Sequence, residues 1–349
     1  MTETTAEVAA DTDVADSSAG GGTATPGVVD LATRGELAAA RGPKTTRVVA
    51  ARVNLPQRVA ELWRVRELFV FLVRKEIKVK YKNSFLGFLW SMLNPALTLS
   101  VFYVIFTFFL PNGIPNFVLY MFSAVLLWNL FQTSVITGTV AVTGNAGLVR
   151  KVAFPREIMA LASVGAAVVF FVFQFLVMVL FLVGFMHPPD WPVLWLAPLA
   201  LLAVIAFSAT MSVFLSAVNV YLRDTQHLVE VVLFAWFWAL PGIYAFSGAV
   251  HNKLANHRLF GIPGTHLIWV YFADPLVAPI MTFQRLFYNV NHPISTIAPH
   301  KPIVNGVLAH YSTLWYASSD LVVFAVSILL LVGAMLVFGR LEGNFAEEL

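Results

Sequence analysis

Apolar and polar positions divide the chain into three regimes. Between Met1 and about Arg47 there is no period and no apolar run; Ala, Thr, Gly and Asp prevail, with Ser18-Ala19-Gly20-Gly21-Gly22-Thr23 in their midst. Such a stretch cannot bury enough apolar surface to offset the entropy of ordering. Residues 1–58 are therefore expected to form a disordered cytoplasmic tail, and without a basic start and an apolar core they do not read as a signal peptide. From Val59 to Lys82 the period becomes helical. Leu62, Val65, Phe69, Leu72, Val73 and Ile77 share one face, and Arg64, Glu67, Arg74, Lys75, Lys78 and Lys82 the opposite one. An apolar stripe backed by cations suits a helix lying in the membrane interface; the alternative is an amphipathic helix packed on a soluble domain.

Beyond Lys82 the pattern turns almost continuously apolar. Six stretches are long enough to cross a hydrocarbon core of about 30 Å: Phe85–Leu110, Phe117–Val142, Ile158–Phe185, Pro192–Leu222, Leu228–Val250 and Ser319–Phe338. Between the fifth and sixth, His251 to Ser318 holds two shorter apolar pieces, Leu267–Phe272 and Pro275–Phe287, which read as re-entrant or interfacial helices. The expected fold is an all-α integral membrane protein: a tail (1–58), an interface helix (59–82), a six-span domain (83–340) and a short cytoplasmic C-terminus (341–349).

Composition removes the soluble alternatives. The 349 residues are 58% hydrophobic and 12% charged, with 30 Phe and 9 Trp, and the mean hydropathy is +0.77; soluble domains carry about 25% charged residues. With no cysteine, disulfides, thiolate metal sites and cysteine nucleophiles are excluded. The net charge of +3 does not point to nucleic acid, because the cations do not cover a solvated surface. Their placement is more informative. With the N-terminus inside, only Lys253, Arg258, Arg285 and Lys301 of the 22 Lys and Arg fall outside, which puts both termini in the cytoplasm of a multi-pass plasma-membrane protein.

Missing chemistry narrows the function. No G-x-x-x-x-G-K-[ST] loop cradles a nucleotide and no H-E-x-x-H spacing offers a metal site. Glu230 and Asp320 lie near predicted span ends, leaving no carboxylate or cation at a midplane, where ion-coupled transporters need them. The first outer loop, Pro111-Asn112-Gly113-Ile114-Pro115-Asn116, carries no acid for glycosyl transfer. What remains is a transport subunit whose energy comes from elsewhere.

The first cytoplasmic loop reads Asn145-Ala146-Gly147-Leu148-Val149-Arg150-Lys151-Val152-Ala153-Phe154-Pro155-Arg156-Glu157. On its residues alone it is a short basic and apolar knob, with Pro155 suited to a helix start and Glu157 to the helix dipole; equally, it could merely join two spans. The stretch resembles the N-x-x-L-[IV]-[RK]-K-x-x-F-P-R-E segment of permease subunits of polysaccharide-export ABC transporters, which export O-antigen, capsule, teichoic acid and galactan precursors. Other pieces resemble the same family in order: Tyr81-Lys82-Asn83-Ser84-Phe85-Leu86-Gly87-Phe88-Leu89-Trp90 with Asn94-Pro95, Leu127-Trp128-Asn129-Leu130-Phe131, Arg223-Asp224 in the second cytoplasmic loop, and Pro241-Gly242-Ile243-Tyr244. Ala124, Pro241-Gly242 and Asp274-Pro275-Leu276 depart from its pattern. The ending Arg340-Leu341-Glu342-Gly343-Asn344-Phe345 resembles actinobacterial galactan-exporter permeases; the alternative is a short solvated acidic end.

The resemblance implies roles. Asn145, Leu148, Arg150, Lys151, Phe154, Pro155, Arg156 and Glu157 would couple to an ATPase subunit, which alone would bind ATP and Mg; Leu148 and Phe154 would be apolar anchors and the cations charged contacts. Arg74, Lys75, Lys78 and Lys82 would meet the pyrophosphate of a lipid-linked glycan at headgroup height, although they would attract anionic lipids equally. Two permeases and two ATPase subunits would assemble with twofold symmetry, and Trp90, Tyr103, Phe106, Trp128, Phe131, Trp236 and Trp238 are candidates to line a glycan channel. The expected function is ATP-driven export of an undecaprenyl-pyrophosphate-linked polysaccharide, with galactan as the leading substrate. The alternatives are a drug or small-lipid exporter permease, and a membrane glycosyltransferase using lipid-linked sugar.

Overall fold

The computed structural model describes residues 55–82, 89–109, 114, 116–152, 154–246, 258–259, 262–288, 307–308 and 311–349; the expected tail falls outside them, apart from its last residues. The described elements are helical but for one two-residue antiparallel pair, β1 (Arg258–Leu259) with β2 (Ile262–Pro263). Four helices are long and apolar enough to cross a membrane: α4 (Phe117–Thr139), α6 (Glu157–Gly184), α7 (Leu196–Tyr221) and α11 (Thr313–Leu341), the last continued by the turn Glu342–Asn344. Shorter elements complete the bundle: α1 (Leu55–Arg64), α2 (Arg66–Tyr81), α3 (Leu89–Val104) with a wide turn Ile105–Phe109, α5 (Ala146–Lys151), α8 (Thr225–Ala239), α9 (Gly264–Phe272), α10 (Val277–Phe283) with a wide turn Gln284–Tyr288, and α12 (Phe345–Glu348).

Helix α7 is the hub, packed against α4, α6, α10 and α11. Small residues let the backbones approach, as membrane helix pairs require. A Cβ on Gly138 of α4 would stand 2.5 Å from Ser212 Cβ of α7, and Ser212 Oγ donates to the Ser134 carbonyl across the same contact at 2.9 Å. Every residue of α10 is buried, so the piece expected to re-enter the domain is part of its core.

Two expected spans end early or start late. The fifth was expected over Leu228–Val250, but α8 stops at Ala239, about 22 Å long at 1.5 Å per residue. Pro241 is the cause: it forces Leu240 into extended backbone (φ −83°, ψ 151°). Carbonyls past the break are taken up by other elements: the single Tyr120 hydroxyl proton is shared between Pro241 O at 3.1 Å and Tyr244 O at 2.9 Å, and Gln284 Nε2 also donates to Pro241 O. The last span begins six residues before the expected Ser319, because Ser312 caps α11 by accepting from Trp315 N at 3.2 Å. Asp320, expected at a span end, therefore sits two turns inside the helix, fully buried, accepting from Thr282 Oγ1 at 2.8 Å.

The amphipathic segment is two helices with a kink at Val65 (φ −94°, ψ 21°). Its predicted apolar stripe does face inward: Leu72 is buried, and Leu62, Val65, Phe69, Val73 and Ile77 are half-buried. The stripe packs on α6, where a Cβ on Gly165 would come within 2.9 Å of Phe69 and Val73. Buried apolar residues form two clusters. The larger is centred on α4, α7, α8 and α10; the smaller gathers Leu72, Val149, Ile158, Val213, Val220, Phe338 and Phe345 around the ends of α4, α6, α7 and α11.

Candidate functional site

The loop between α4 and α6 is built on that smaller cluster. After Thr139 the chain passes a tight turn, Thr143–Asn145, and then the six-residue α5. Asn145 anchors the turn: its Nδ2 donates to Ala141 O at 2.7 Å, and its Oδ1 accepts from Lys75 Nζ. Asn219 Nδ2 of α7 donates to Thr143 Oγ1 at 3.3 Å, which brings the Arg223-Asp224 turn, exposed at the end of α7, to the same end of the bundle. Val149 points inward and Leu148 is half-buried against the cluster. Gly147, Arg150, Lys151 and Val152 are exposed and form the projecting tip.

The second half of the loop is fastened down. Phe154, Pro155 and Arg156 are half-buried and Glu157 has no exposed surface. Glu157 pairs with Arg58 of α1. Arg58 Nη2 also reaches Glu342 Oε2 at 2.8 Å. Arg156 approaches the other carboxylate oxygen of Glu342 at 3.7 Å, donates to its backbone carbonyl at 2.8 Å, and lies over the Phe345 ring at 5.9 Å. Of the residues expected to touch a partner, Glu157 is thus withdrawn from any external surface, and Phe154 and Arg156 are spent largely on contacts within the chain. Arg58, Glu342 and Phe345 were not anticipated. For Phe345 a signal existed: Phe338, Leu341 and Phe345 continue the helical spacing past the apolar run.

Arg74 and Lys78 are exposed along α2, and Lys82 just past its end, as the amphipathic pattern predicts. Lys75 is not one of them, because Asn145 draws it into the bundle. Lys80, absent from the expected set, lies with its ammonium 4.0 Å over the ring of Phe170 on α6, a cation–π contact. Desolvation there holds its pKa below the ordinary lysine value.

Known proteins share this arrangement of sequence. The ABC-2 type transporter family profile matches residues 67–251, from α2 past the break after α8. The chain is 32% identical over 261 residues to the O-antigen export system permease protein RfbA of Myxococcus xanthus, covering 75% of this chain and 94% of that one. It is 27% identical over 283 residues to a protein of the same name from Klebsiella pneumoniae, covering 81% and 95%. The chain belongs to the ABC-2 type transporter family. It is accordingly a multi-pass membrane permease.

In this ABC-2 permease the expected channel aromatics separate into two groups. Phe131 has no exposed surface and Trp128 almost none. Phe207 stacks on Phe131 at 5.3 Å, and Trp236 and Trp128 stand at 5.5 and 5.8 Å from it; Phe237 lies 5.6 Å from Trp128. Their faces are occupied by neighbouring rings, which makes Trp128 and Phe131 packing residues of the larger cluster. Trp236 is tied in as well, its indole N–H donating to Asp274 Oδ2 at 2.6 Å. Asp274 also accepts from Leu276 N at 2.9 Å, and burial raises its pKa above the ordinary carboxylate value despite both donors. Phe106 is half-buried against Phe117 at 4.8 Å. Trp90, Tyr103 and Trp238 remain exposed.

Proposed function

We propose that the chain is the permease subunit of an ATP-driven exporter that carries a polysaccharide linked to undecaprenyl pyrophosphate out of the cytoplasm, with cell-wall galactan as the specific polymer. The observation that carries this reading is the exposed Arg150-Lys151-Val152 tip on a firmly seated loop, in a chain similar to permeases named for O-antigen export. In this reading the exposed, basic tip enters a groove on an ATPase subunit, and that subunit holds ATP and Mg. Galactan rests on the resemblance of the C-terminal residues alone. In this reading both termini are cytoplasmic. Six crossings are completed by α3 with its wide turn and by α8 with the residues after it.

Two permeases and two ATPase subunits surround a twofold axis. The exposed apolar face of α8, with Leu228, Val231, Val232, Phe234 and Trp238, supports a further protein or lipid surface there. Arg74, Lys78 and Lys82 supply the cations for the pyrophosphate, and Trp90, Tyr103, Phe106 and Trp238 the rings for a sliding glycan.

The test is purification of the tagged chain from detergent-solubilised membranes, native and with Arg150→Glu/Lys151→Glu, followed by identification of nucleotide-hydrolysing partners and of lipid-linked glycan retained inside depleted cells. An ATPase retained by the native chain and lost by the variant is expected, together with accumulation of lipid-linked polysaccharide. Absence of an ATPase from the native dimer would remove the exporter reading. Export of a small lipid or drug with unchanged glycan would replace the substrate.

A further inference from the structure

Past Arg340 the chain still packs on the bundle through Leu341, Glu342 and Phe345. Phe345 is fully buried, edge-on to Phe338 at 5.3 Å and to Tyr221 of α7 at 5.9 Å, and Tyr221 Oη donates to Leu341 O at 2.8 Å. This seating fixes the turn that carries Glu342. The acceptors of Glu342 then serve two distant parts of the chain: one carboxylate oxygen takes Arg58 of α1, while the other and the backbone carbonyl both face Arg156 of the loop. The three side chains are 16–19% exposed, shielded enough for their attraction to be weakly screened. Every side-chain ion pair described for the loop's second half ends on Arg58 or Glu342. Beside them a cleft of about 340 Å³, bordered by Arg58, Glu61, Phe154, Pro155 and Glu342, leaves the loop room to shift when the bridge is absent.

We propose that Glu342 is a positioning residue for the Asn145–Glu157 loop, holding its second half to α1 and to the end of α11 so that the three move as one body. The proposal rests on the reading of that loop as the ATPase contact. A push delivered at the tip then reaches the amphipathic helices through Arg58 and the last span through Glu342 in the same step. Without Glu342, Arg156 loses its carboxylate and the loop yields under the push, so ATP is hydrolysed with little transport.

The natural absence of cysteine permits a clean probe. Gly147 is exposed, with open space where a side chain would stand, so Gly147→Cys carries a nitroxide spin label on the loop. In detergent, Glu342→Gln should raise the mobility of that label, and Glu342→Asp should leave it near native. In the unlabelled full complex, Glu342→Gln should lower export about tenfold, the range of a modest coupling free energy, while ATP hydrolysis stays within about twofold. Glu342→Asp should retain export. A native label spectrum and native export in Glu342→Gln would overturn the proposal, as would equal loss of export and hydrolysis in both variants. The spectrum requires no ATPase, so failure of the native chain to hold an ATPase, which defeats the exporter reading, is recorded separately.

Discussion

The two buried clusters of this permease are held by different chemistry. The larger one is a network of rings: Phe131, Phe207, Trp128 and Trp236 at one side, and Phe246, Phe272, Tyr311 and Trp315 at another, where Tyr311 and Trp315 stack at 4.1 Å. Its polar atoms are mostly satisfied by neutral groups, as where Tyr120 serves two carbonyls. The smaller cluster is closed by Arg58, Arg156, Glu157 and Glu342, drawn from three distant parts of the chain. Many weak ring contacts share their load, so the loss of one is absorbed. A few ion pairs do not, because each removed charge leaves a shielded partner uncompensated. The ring region suits a wall and the ionic region a joint.

The largest effect is expected from Arg58→Ala, which strands the fully buried Glu157. A loss of about 3–5 kcal/mol is expected for breaking a buried pair from one side, seen as a lowered melting temperature in detergent. Gly165→Leu drives Phe69 and Val73 off α6 and should cost about 1–3 kcal/mol, with α2 becoming protease-sensitive before the spans. On the ring side, Trp236→Phe keeps the stacking but removes the donor to Asp274, for about 1–3 kcal/mol. Asp274→Asn adds a pH signature. A carboxyl whose folded pKa is raised contributes stability at low pH and loses it as pH climbs from its unfolded pKa through the raised one. The stability advantage of the native chain over Asp274→Asn should therefore shrink across that interval, measured by melting at successive pH values. The smallest change in stability, within about 0.5 kcal/mol, is expected from Arg150→Ala/Lys151→Ala, whose side chains are exposed; the same variant should lose its ATPase on purification. If its melting temperature fell as far as that of Arg58→Ala, the division of the loop into a seated half and a presenting half would be wrong.

Patterns repeated along the chain are legible in its sequence. The stripe from Leu62 to Ile77 is repeated every three or four residues and faces inward as its period requires, and four expected spans coincide with long apolar helices. The loop motif stood out by its order of residues. Single long-range events were not legible. Arg58 lies 99 residues from Glu157 and 284 from Glu342, so their meeting leaves no period to read. Lys75 fits the cationic face by spacing, yet one acceptor on Asn145 turns it inward. Pro241 was visible in the fifth apolar run, but its apolar content outweighed it until Tyr120 and Gln284, from other elements, supplied donors for the broken helix. Burial of Trp128 and Phe131 likewise depends on rings from α7 and α8.

Gly339 gives the joint a genetic signature. Its missing side chain is the space in which the Arg58 guanidinium lies; a Cβ there would stand 2.9 Å from Arg58 Cζ. A guanidinium on a long stem can step aside at little steric cost, so the harm of Gly339→Ala is the ion pairs that Arg58 abandons in stepping aside. The two substitutions should therefore be strongly epistatic: alanine at 339 is damaging beside Arg58 and close to neutral once position 58 is already alanine. Positions 58 and 339 then behave as one unit, and a chain without the arginine has no need of the glycine.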